Sequence, residues 1–439
     1  MEHRWPALVV EIVERLTGVG IPTYLVGGAV RDHLIGRETR DFDLLVESPL
    51  EIAHRAVPEA RRIEAATPVL LWPDTGDRPR IEVSGGGERL RQNLARRDFT
   101  LNAMALDPVR GTLVDPFDGQ RHLAERRLVA VDPDRAFRED PLRIVRGVRL
   151  AIDLSLSLEG ATELAMERDS FRLQGAAAER IRDELMRLLE LPQPSAALEQ
   201  LRRLGALASF LPELLRTVGI EQNRRHPDDV YRHTLRVVDL LPPDPTLRLA
   251  AVLHDTAKPD TKRYLERRGD FSFIRHERLG ERYSARLCSR LRFSRQTQAV
   301  VGRLVRHHLI FPDRLSTESA IRRLLARVGD EVLNDLLELR RADLASRSPH
   351  QSVPKEWEQL VERIREVRAH LRGGAREELA LSGSEVQQVL GIQEGPEVGR
   401  WLRRARRRIL HHPEENERSR LVAWLRRSAR EEGDECTRR

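Results

Sequence analysis

GGAVRDHLIGRETRDFDLL, residues 27–45, decides how the first part of this chain is read. Two glycines stand where the strand-like IPTYLVGG gives way to a helix, and two aspartates one residue apart open the strand-like DFDLLVE. Side chains alternate along a strand, so Asp41 and Asp43 share one face with Phe42 buried behind them. Parallel carboxylates this close repel each other unless cations sit between them. They are hard oxygen ligands of the kind magnesium takes while keeping water and substrate phosphate in its shell. A pair of ions so held can activate an attacking hydroxyl and steady a leaving pyrophosphate. Glu82, in RPRIEVS, offers a third carboxylate from a neighbouring strand. Gly27 and Gly28 let backbone approach a phosphate, and a helix starting near Ala29 presents N–H groups to it. Taken alone, a DxD pair is more often a solvated strand face, and a GG pair says less still.

Outward from this stretch, the first ~130 residues mix strand and helix signals. TPVLLW, RPRIEVS and the two halves of NAMALDPVRGTLVDP read as further strands, the last two around a turn at Arg110-Gly111. From about Arg138 the apolar period becomes helical and stays so, in segments separated by short Pro- or Gly-bearing joints. The expected fold class is therefore α+β: a head with a small mixed sheet over 1–135, then an all-α neck over 136–215, body over 216–346 and tail over 347–439, the last beginning at a break near RSPHQSVP.

With 439 residues, several domains are expected. The 76 basic residues against 69 acidic ones leave a net charge of +7, which suits a polyanionic partner without requiring one. Nearly all the basic residues are arginine; this favours phosphate forks and equally reflects a codon bias. Cys288 and Cys436 are far apart, so no disulfide framework or zinc ribbon is indicated. MEHRWPALVVEIVERL reads as an amphipathic helix rather than a signal peptide. No run approaches the ~18 apolar residues of a membrane span, and a cytoplasmic protein is the default.

The combination GGAVRD, DFD and then ARRDFTLNAMAL at 95–106 resembles the head domain shared by class II tRNA nucleotidyltransferases and bacterial poly(A) polymerases. The resemblance implies that Asp41 and Asp43 are catalytic and hold magnesium. It implies too that Gly27, Gly28, Arg31 and Asp32 shape a triphosphate cradle, and that Arg97, Asp98 and Asn102 close it. Independently of any family, Arg97 suits a phosphate fork; the bland alternative is a surface RRD with Asn102 ending a turn.

FREDPLRIVRGVRLA, 137–151, reads as one helix with Leu142, Val145 and Val148 along one face and Glu139, Asp140, Arg143 and Arg146 along the other. Such a face is ordinarily solvated. A carboxylate and an arginine locked together can also offer acceptor and donor in the order that suits cytosine and adenine, rejecting uracil and guanine because their polar groups would be left unpaired. The resemblance implies that part for Glu139, Asp140 and Arg143. AAERIRDEL, 177–185, resembles the family's next neck motif, with Glu179 and Arg180 as matching charges in a structural role. Only GGGERLRQNL separates the strand ending at Ser84 from Ala95. Family members that add all of CCA carry a longer segment here and relatives that stop after CC a shortened one, so the resemblance leans towards CC addition, with CCA addition close behind.

In the body, DDVYRHTLRVV, LRLAAVLHDTAKPDTKR, FIRHERLG and VRHHLIFP recur in an order resembling an HD-type phosphohydrolase domain. That implies a metal site of His233, His254, Asp255 and, from ELRRADLASR, Asp343. Imidazoles with carboxylates suit magnesium, manganese, nickel or cobalt without distinguishing them. Lys258 then touches a phosphate, and His276, His307 and His308 bind substrate or a second ion. A natural substrate guess is a 2′,3′-cyclic or phosphorylated RNA end; a domain persisting only as scaffold is the alternative. LSGSEVQQVLGIQEGPEVGRWLRRARRRIL, 381–410, resembles the tail of the same enzymes, with an arginine stripe (Arg403, Arg404, Arg406, Arg407, Arg408) suited to salt-sensitive contact with RNA backbone. The reading as a whole is a template-independent enzyme that extends the tRNA 3′ end with C, and in the CCA variant with A, from CTP and ATP. A poly(A) polymerase, or an HD phosphohydrolase whose head only binds RNA, are its rivals.

Overall fold

A computed structural model of the chain describes residues 5–64, 68–85, 87, 89–223, 228–347, 352–373, 379–411 and 415–436. Contacts divide the chain into two compact units, Met1–Leu215 with Ser289–Phe293, and Arg216–Cys288 with Ser294–Arg439.

The first unit is built on a seven-stranded sheet: β1 (Thr23–Val26), β2 (Asp41–Val46), β3 (Arg61–Ile63), β4 (Val69–Trp72), β5 (Arg80–Gly85), β6 (Ala105–Leu106) and β7 (Leu113–Val114), in the order β3-β4-β5-β2-β1-β6-β7. Only β2 and β5 pair in parallel; the other pairs are antiparallel. Period-two alternation divides the strands between two apolar layers. Leu25, Phe42, Leu44, Val46, Ile81 and Val83 join one core cluster with Val9, Ile12, Val13 and Leu16 of helix α1 (Ala7–Gly18), whose apolar residues recur every three or four positions. Val26 and Leu45 belong to a second cluster with Leu90, Leu94, Ala103 and Ala105. Asp41 and Asp43 follow the Leu45 phase, so they emerge together where β2 leaves the core.

Helices α2 (Gly28–Leu34), α3 (Leu50–Ala56), α4 (Leu90–Ala95) and α5 (Gly119–Ala124) complete the head. The segment counted above as GGGERLRQNL is helical from Leu90; β5 runs one residue further than expected, to Gly85, and residues 86 and 88 lie outside the described residues.

The stretch 137–151 is two helices, not one: α6 (Pro133–Glu139) and α7 (Leu142–Asp153). Pro141 is the reason. Its ring disfavours helical backbone at the residue before it, and Asp140 sits at φ −142°, ψ 93°. The Asp140 carboxylate then accepts from the Leu142 N–H at 3.2 Å, so the residue expected mid-helix stands just ahead of the second helix and bonds its first N–H. Leu142, Val145 and Val148 are buried as the expected stripe, and Ile144 is buried as well. A helix over Ala178–Leu189 packs against α7.

The second unit is helical apart from the hairpin Lys262–Leu265/Asp270–Phe273. Asp229, Asp244, Ser294 and Thr317 cap the helices that follow them with side-chain oxygens, as helix starts require. The tail has its own core, Leu381, Val386, Val398, Trp401, Ile409, Leu421 and Leu425. Its expected basic stripe lies on Pro396–His411, where Arg404 stacks 4.4 Å from the Trp401 ring centroid; the Arg407 side chain, and residues 348–351 of the 347–354 break, lie outside the described residues.

Candidate active site

Register brings the head carboxylates together. On β2 and β5 Asp43 stands opposite Glu82 and Asp41 opposite Arg80, while Val26, the residue before Gly27, stands opposite Asp43 on β1. Arg80, which sequence reasoning passed over, bridges the acids: it reaches Asp41 Oδ1 at 3.0 Å and Glu82 Oε2 at 2.7 Å. Even so, negative charge is in excess. Burial, with Asp41 and Glu82 adding to it and Arg97 and Arg80 opposing, pushes the Asp43 carboxyl up to about 6. A half-buried carboxylate that is this reluctant to ionise fits a site whose counter-charge is a divalent cation.

Gly27 follows directly. Its φ is +73°, and a Cβ placed there would lie 2.8 Å from Arg97 Nη1 and 3.2 Å from Asp43 Oδ2. Only glycine holds this backbone while leaving the two charges where they are. Gly28 is under no such pressure, as the nearest atom to its Cβ would be the Arg31 guanidinium at 3.5 Å.

The remaining head residues form one chain of polar contacts. Arg31 donates to Asp32 Oδ1 at 2.9 Å and to Asn102 Oδ1 at 2.8 Å. Asn102 Nδ2 donates to Asp98 Oδ1 at 3.0 Å, and Asp98 Oδ2 takes Arg146 of α7 at 3.4 Å. Arg146 continues to Glu184 at 3.4 Å, where Arg149 also donates at 2.9 Å. Glu184 is 3% exposed; it was missed because in IRDEL it reads as one more surface charge. Arg97 donates to the Asn102 carbonyl at 3.3 Å, its Nε has no partner among the described residues, and burial pulls its ionisation down from the usual arginine range. A cationic group so placed, short of acceptors, is suited to a phosphate.

These residues surround a cavity of about 630 Å³. Of the head and neck residues expected from sequence to bind metal or nucleotide, all but Asp41, Glu82 and Glu139 line it, joined by Arg37, Arg40, Arg96 and Arg149. Asp41 is at the rim, its side chain 64% exposed. Glu139 departs from expectation: ending α6 rather than continuing into α7, it pairs with Arg135 at 3.3 Å. The expected lock between Asp140 and Arg143 is also absent. Asp140 Oδ2 is held by Arg180 at 2.6 Å, and Arg143 donates to the backbone carbonyls of Arg96 and Ala136. Arg180, expected to be structural, is the partner of the carboxylate facing the cavity.

In the second unit four imidazoles converge on two aspartates. Nε2 of His233 lies 3.2 Å from Asp343 Oδ1 and 3.6 Å from Asp255 Oδ2; those of His254, His276 and His308 lie 3.0, 3.2 and 3.8 Å from Asp255 oxygens. On the far side of each ring, Nδ1 contacts the Ala251, Phe273 or Val305 carbonyl or the Ser346 hydroxyl, at 2.7–3.0 Å. A ring nitrogen facing a carbonyl must carry a proton, so on His254, His276 and His308 it is Nε2 that faces carboxylate oxygen, as a lone pair or as a second N–H. Lone pairs face each other this way only with a proton or a metal ion between them, and anchoring through Nδ1 is how protein metal sites orient histidine ligands. His233, His254 and Asp255, and again Asp255, His276 and His308, place their donor atoms within 4.8 Å of one another. Burial alone would raise Asp255, but His254 and Lys258, whose Nζ is 2.6 Å from Asp255 Oδ2, hold it well below the usual carboxylate range. Asp343 is likewise held down against burial, by Arg347 at 2.7 Å and by His233 and Arg340. His307 does not join the cluster. It points to a neighbouring cavity, and burial, then Arg306, Arg327 and Arg303, lower its basicity.

Fold and sites define a class: a polymerase-type nucleotide-transferring head followed by a helical body with a histidine–aspartate centre. Sequence profiles agree, described as "Poly A polymerase head domain" over 23–70 and 72–129, "Probable RNA and SrmB- binding site of polymerase A" over 155–217 and "HD domain" over 230–347. The chain belongs to the tRNA nucleotidyltransferase family, whose members are enzymes. It is 36% identical to the CC-adding tRNA nucleotidyltransferase of Thermus thermophilus over 86% of this chain and 87% of that one. To the A-adding tRNA nucleotidyltransferase of Deinococcus radiodurans it is 34% identical over 86% and 89%. The crystal structure of the Bacillus stearothermophilus CCA-adding enzyme in complex with CTP matches with a TM-score of 0.68 and 25% identity, covering 98% of each chain. No helix among the described residues is long and apolar enough to cross a membrane.

Proposed function

We propose that this chain adds C to the 3′ end of tRNA from CTP without a template, stopping at CC, with magnesium at the head carboxylates. The observation that carries the proposal is the polar chain Asp32–Arg31–Asn102–Asp98–Arg146–Glu184, which ties the phosphate side of the cavity to the neck helices. In the reaction the terminal hydroxyl oxygen of the RNA bonds to the α-phosphorus as the bond to the bridging oxygen breaks and pyrophosphate leaves. Divalent ions on Asp41 and Asp43, with Glu82 beside them, would supply the charge that activates the hydroxyl and neutralises the leaving group. Arg97 and the N–H groups following Gly27 bind the triphosphate, and Arg31, Asp32, Asp98 and Asn102 fix that cradle. Asp140, steadied by Arg180, and Arg143 read the base. Arg146 holds the reading helix to the cradle.

The short segment after β5 and the likeness to a CC-adding relative both favour CC over CCA. Sequencing the products of tRNA ending at its discriminator base, incubated with CTP and ATP together, tests this: CC ends are expected, CCA ends would move the assignment to full addition, and long A tails without C would overturn it. The four parts 1–135, 136–215, 216–346 and 347–439 act in this reading as catalytic head, selecting neck, HD body and tRNA-contacting tail.

The Nδ1-anchored imidazoles favour a second activity, metal-dependent phosphohydrolysis, with the divalent ion on His233, His254, Asp255 and Asp343 and a second on or near His276 and His308. His254→Ala is expected to lower the stoichiometry of bound manganese or nickel by one per chain while C addition stays within twofold of the parent. Unchanged metal content would defeat the assignment.

A further inference from the structure

Three carboxylates and one guanidinium share a face of the head sheet. In the parallel pairing of β2 with β5, Asp41 stands opposite Arg80 and Asp43 opposite Glu82. Side chains two positions apart on a strand point the same way, so Asp41, Asp43, Arg80 and Glu82 make one patch. The Arg80 guanidinium spans it, donating through Nη1 to Asp41 Oδ1 at 3.0 Å and through Nη2 to Glu82 Oε2 at 2.7 Å.

The strand beneath that guanidinium is pinned. The Arg80 N–H donates to the Arg40 carbonyl at 2.8 Å. The Arg40 side chain in turn holds the loop that leads into β5, through both Asp74 oxygens at 3.1 Å and the Gly76 carbonyl at 2.6 Å. Burial by itself would lower the ionisation of Arg80, but Asp41, Glu82 and Asp43 together keep it above the usual arginine range. The positive charge is therefore permanent. A divalent ion ligated by Asp41 and Asp43 would sit beside this charge, and two cations on one carboxylate repel each other.

We propose that Arg80 is the resident counter-cation of the head carboxylates: a positioning residue that holds Asp41 and Glu82 together before an ion arrives and gives way when one binds. Free divalent ion then binds the head more weakly than its three carboxylates alone would allow. The inference rests on the reading of Asp41 and Asp43 as ion ligands and assigns to Arg80 control over how tightly they hold the ion.

Manganese titration of the full-length protein, with free ion followed by electron paramagnetic resonance, tests it. The head site is the manganese that the parent binds and the double variant Asp41→Asn, Asp43→Asn does not. Arg80→Gln, which removes the charge and keeps a polar side chain, should lower the Kd at that site by about tenfold, a figure kept modest by the partial exposure of Arg80. Arg80→Lys keeps the charge and should stay within about threefold of the parent. At equal manganese, Arg80→Gln should also gain more in Tm than the parent does, because tighter binding to the folded state stabilises it more. A side chain that only braced the strand would, once removed, loosen the ligands and weaken binding. Unchanged or weaker manganese binding in Arg80→Gln would thus overturn the inference and leave the head reading intact. So would tightening in Arg80→Lys as large as in Arg80→Gln, since charge would then not be the cause. Equal manganese binding by the parent and the double variant would defeat the head reading itself, and this inference with it.

Discussion

Asp43→Asn is expected to abolish tRNA extension and, without metal, to give a more stable protein. Both effects have one origin. Half-buried, and beside Asp41 and Glu82, Asp43 has its ionisation pushed up to about 6 in the fold, against about 3.9 in an unfolded chain. A folded-state value above the unfolded one means that the native state holds the proton more tightly. The stability this group contributes is therefore complete below about pH 4 and is lost as pH rises through about 6. At pH 8 the ionised side chain costs at most about 3 kcal/mol, less where solvent reaches it, and asparagine removes that cost. Urea unfolding in EDTA should show the variant more stable by about 1–2 kcal/mol at pH 8 and equal to the parent at pH 4. Addition of C should fall by about three orders of magnitude or more, the several kcal/mol that ion-held charge contributes to such a transition state. In the parent, at limiting magnesium, the rate should drop below about pH 6 as protons compete with the ion, and saturating magnesium should move the drop to lower pH. A variant destabilised at pH 8 would contradict this account of the site.

Asp140→Ala is expected to remove the discrimination between CTP and UTP. Asp140 faces the head cavity and is fixed by Arg180; without it nothing on that side is left unpaired by the wrong base. Selectivity, as the ratio of kcat/KM for CTP and UTP, should fall by about two orders of magnitude, the effect of an unpaired buried polar group counted once or twice. Arg180→Ala should act in the same direction, because it frees the carboxylate to turn. Glu139→Ala should leave the ratio within about threefold, since that side chain is engaged by Arg135 outside the cavity. Intact selectivity in Asp140→Ala, or lost selectivity in Glu139→Ala, would show that the base is read elsewhere.

The contrast between Glu139 and Asp140 shows how far local patterns reach. Both are adjacent acids in FREDPLR, and a helical period through them puts both on one polar face. Pro141 breaks that period, so one acid ends a helix over solvent and the other bonds the first N–H of the next helix and faces the cavity. The proline was visible in the sequence, but the direction in which the chain resumed was not. Glu184 and Arg180 illustrate a different limit. Each sits in a charged, amphipathic helix where ion pairing with near neighbours is the ordinary outcome, and each is hydrogen-bonded to a residue about 40 positions away. Such partners are set by helix packing, which no window along the chain contains. His307 and His308 differ in the same way: adjacent at a helix end, they diverge, and only His308 joins the aspartates.

What the sequence by itself determined is whatever depends on neighbours a few residues apart: the shared face of Asp41 and Asp43, the glycine at a left-handed corner, the apolar stripe of the neck helix, and the placing of His254-Asp255 at the end of a buried helix. Alternation and helical period are local geometry, so residue order is enough to specify them. The tertiary structure alone decided which charges meet. Parallel pairing of β2 with β5 set Asp43 against Glu82 and gave Arg80 its bridging place, packing of the neck helices closed the chain from Asp32 to Glu184, and the fold of the body gathered nine arginines around one cavity. Electrostatic energy depends on distance in space, and for these groups that distance is fixed by packing between segments far apart in the chain.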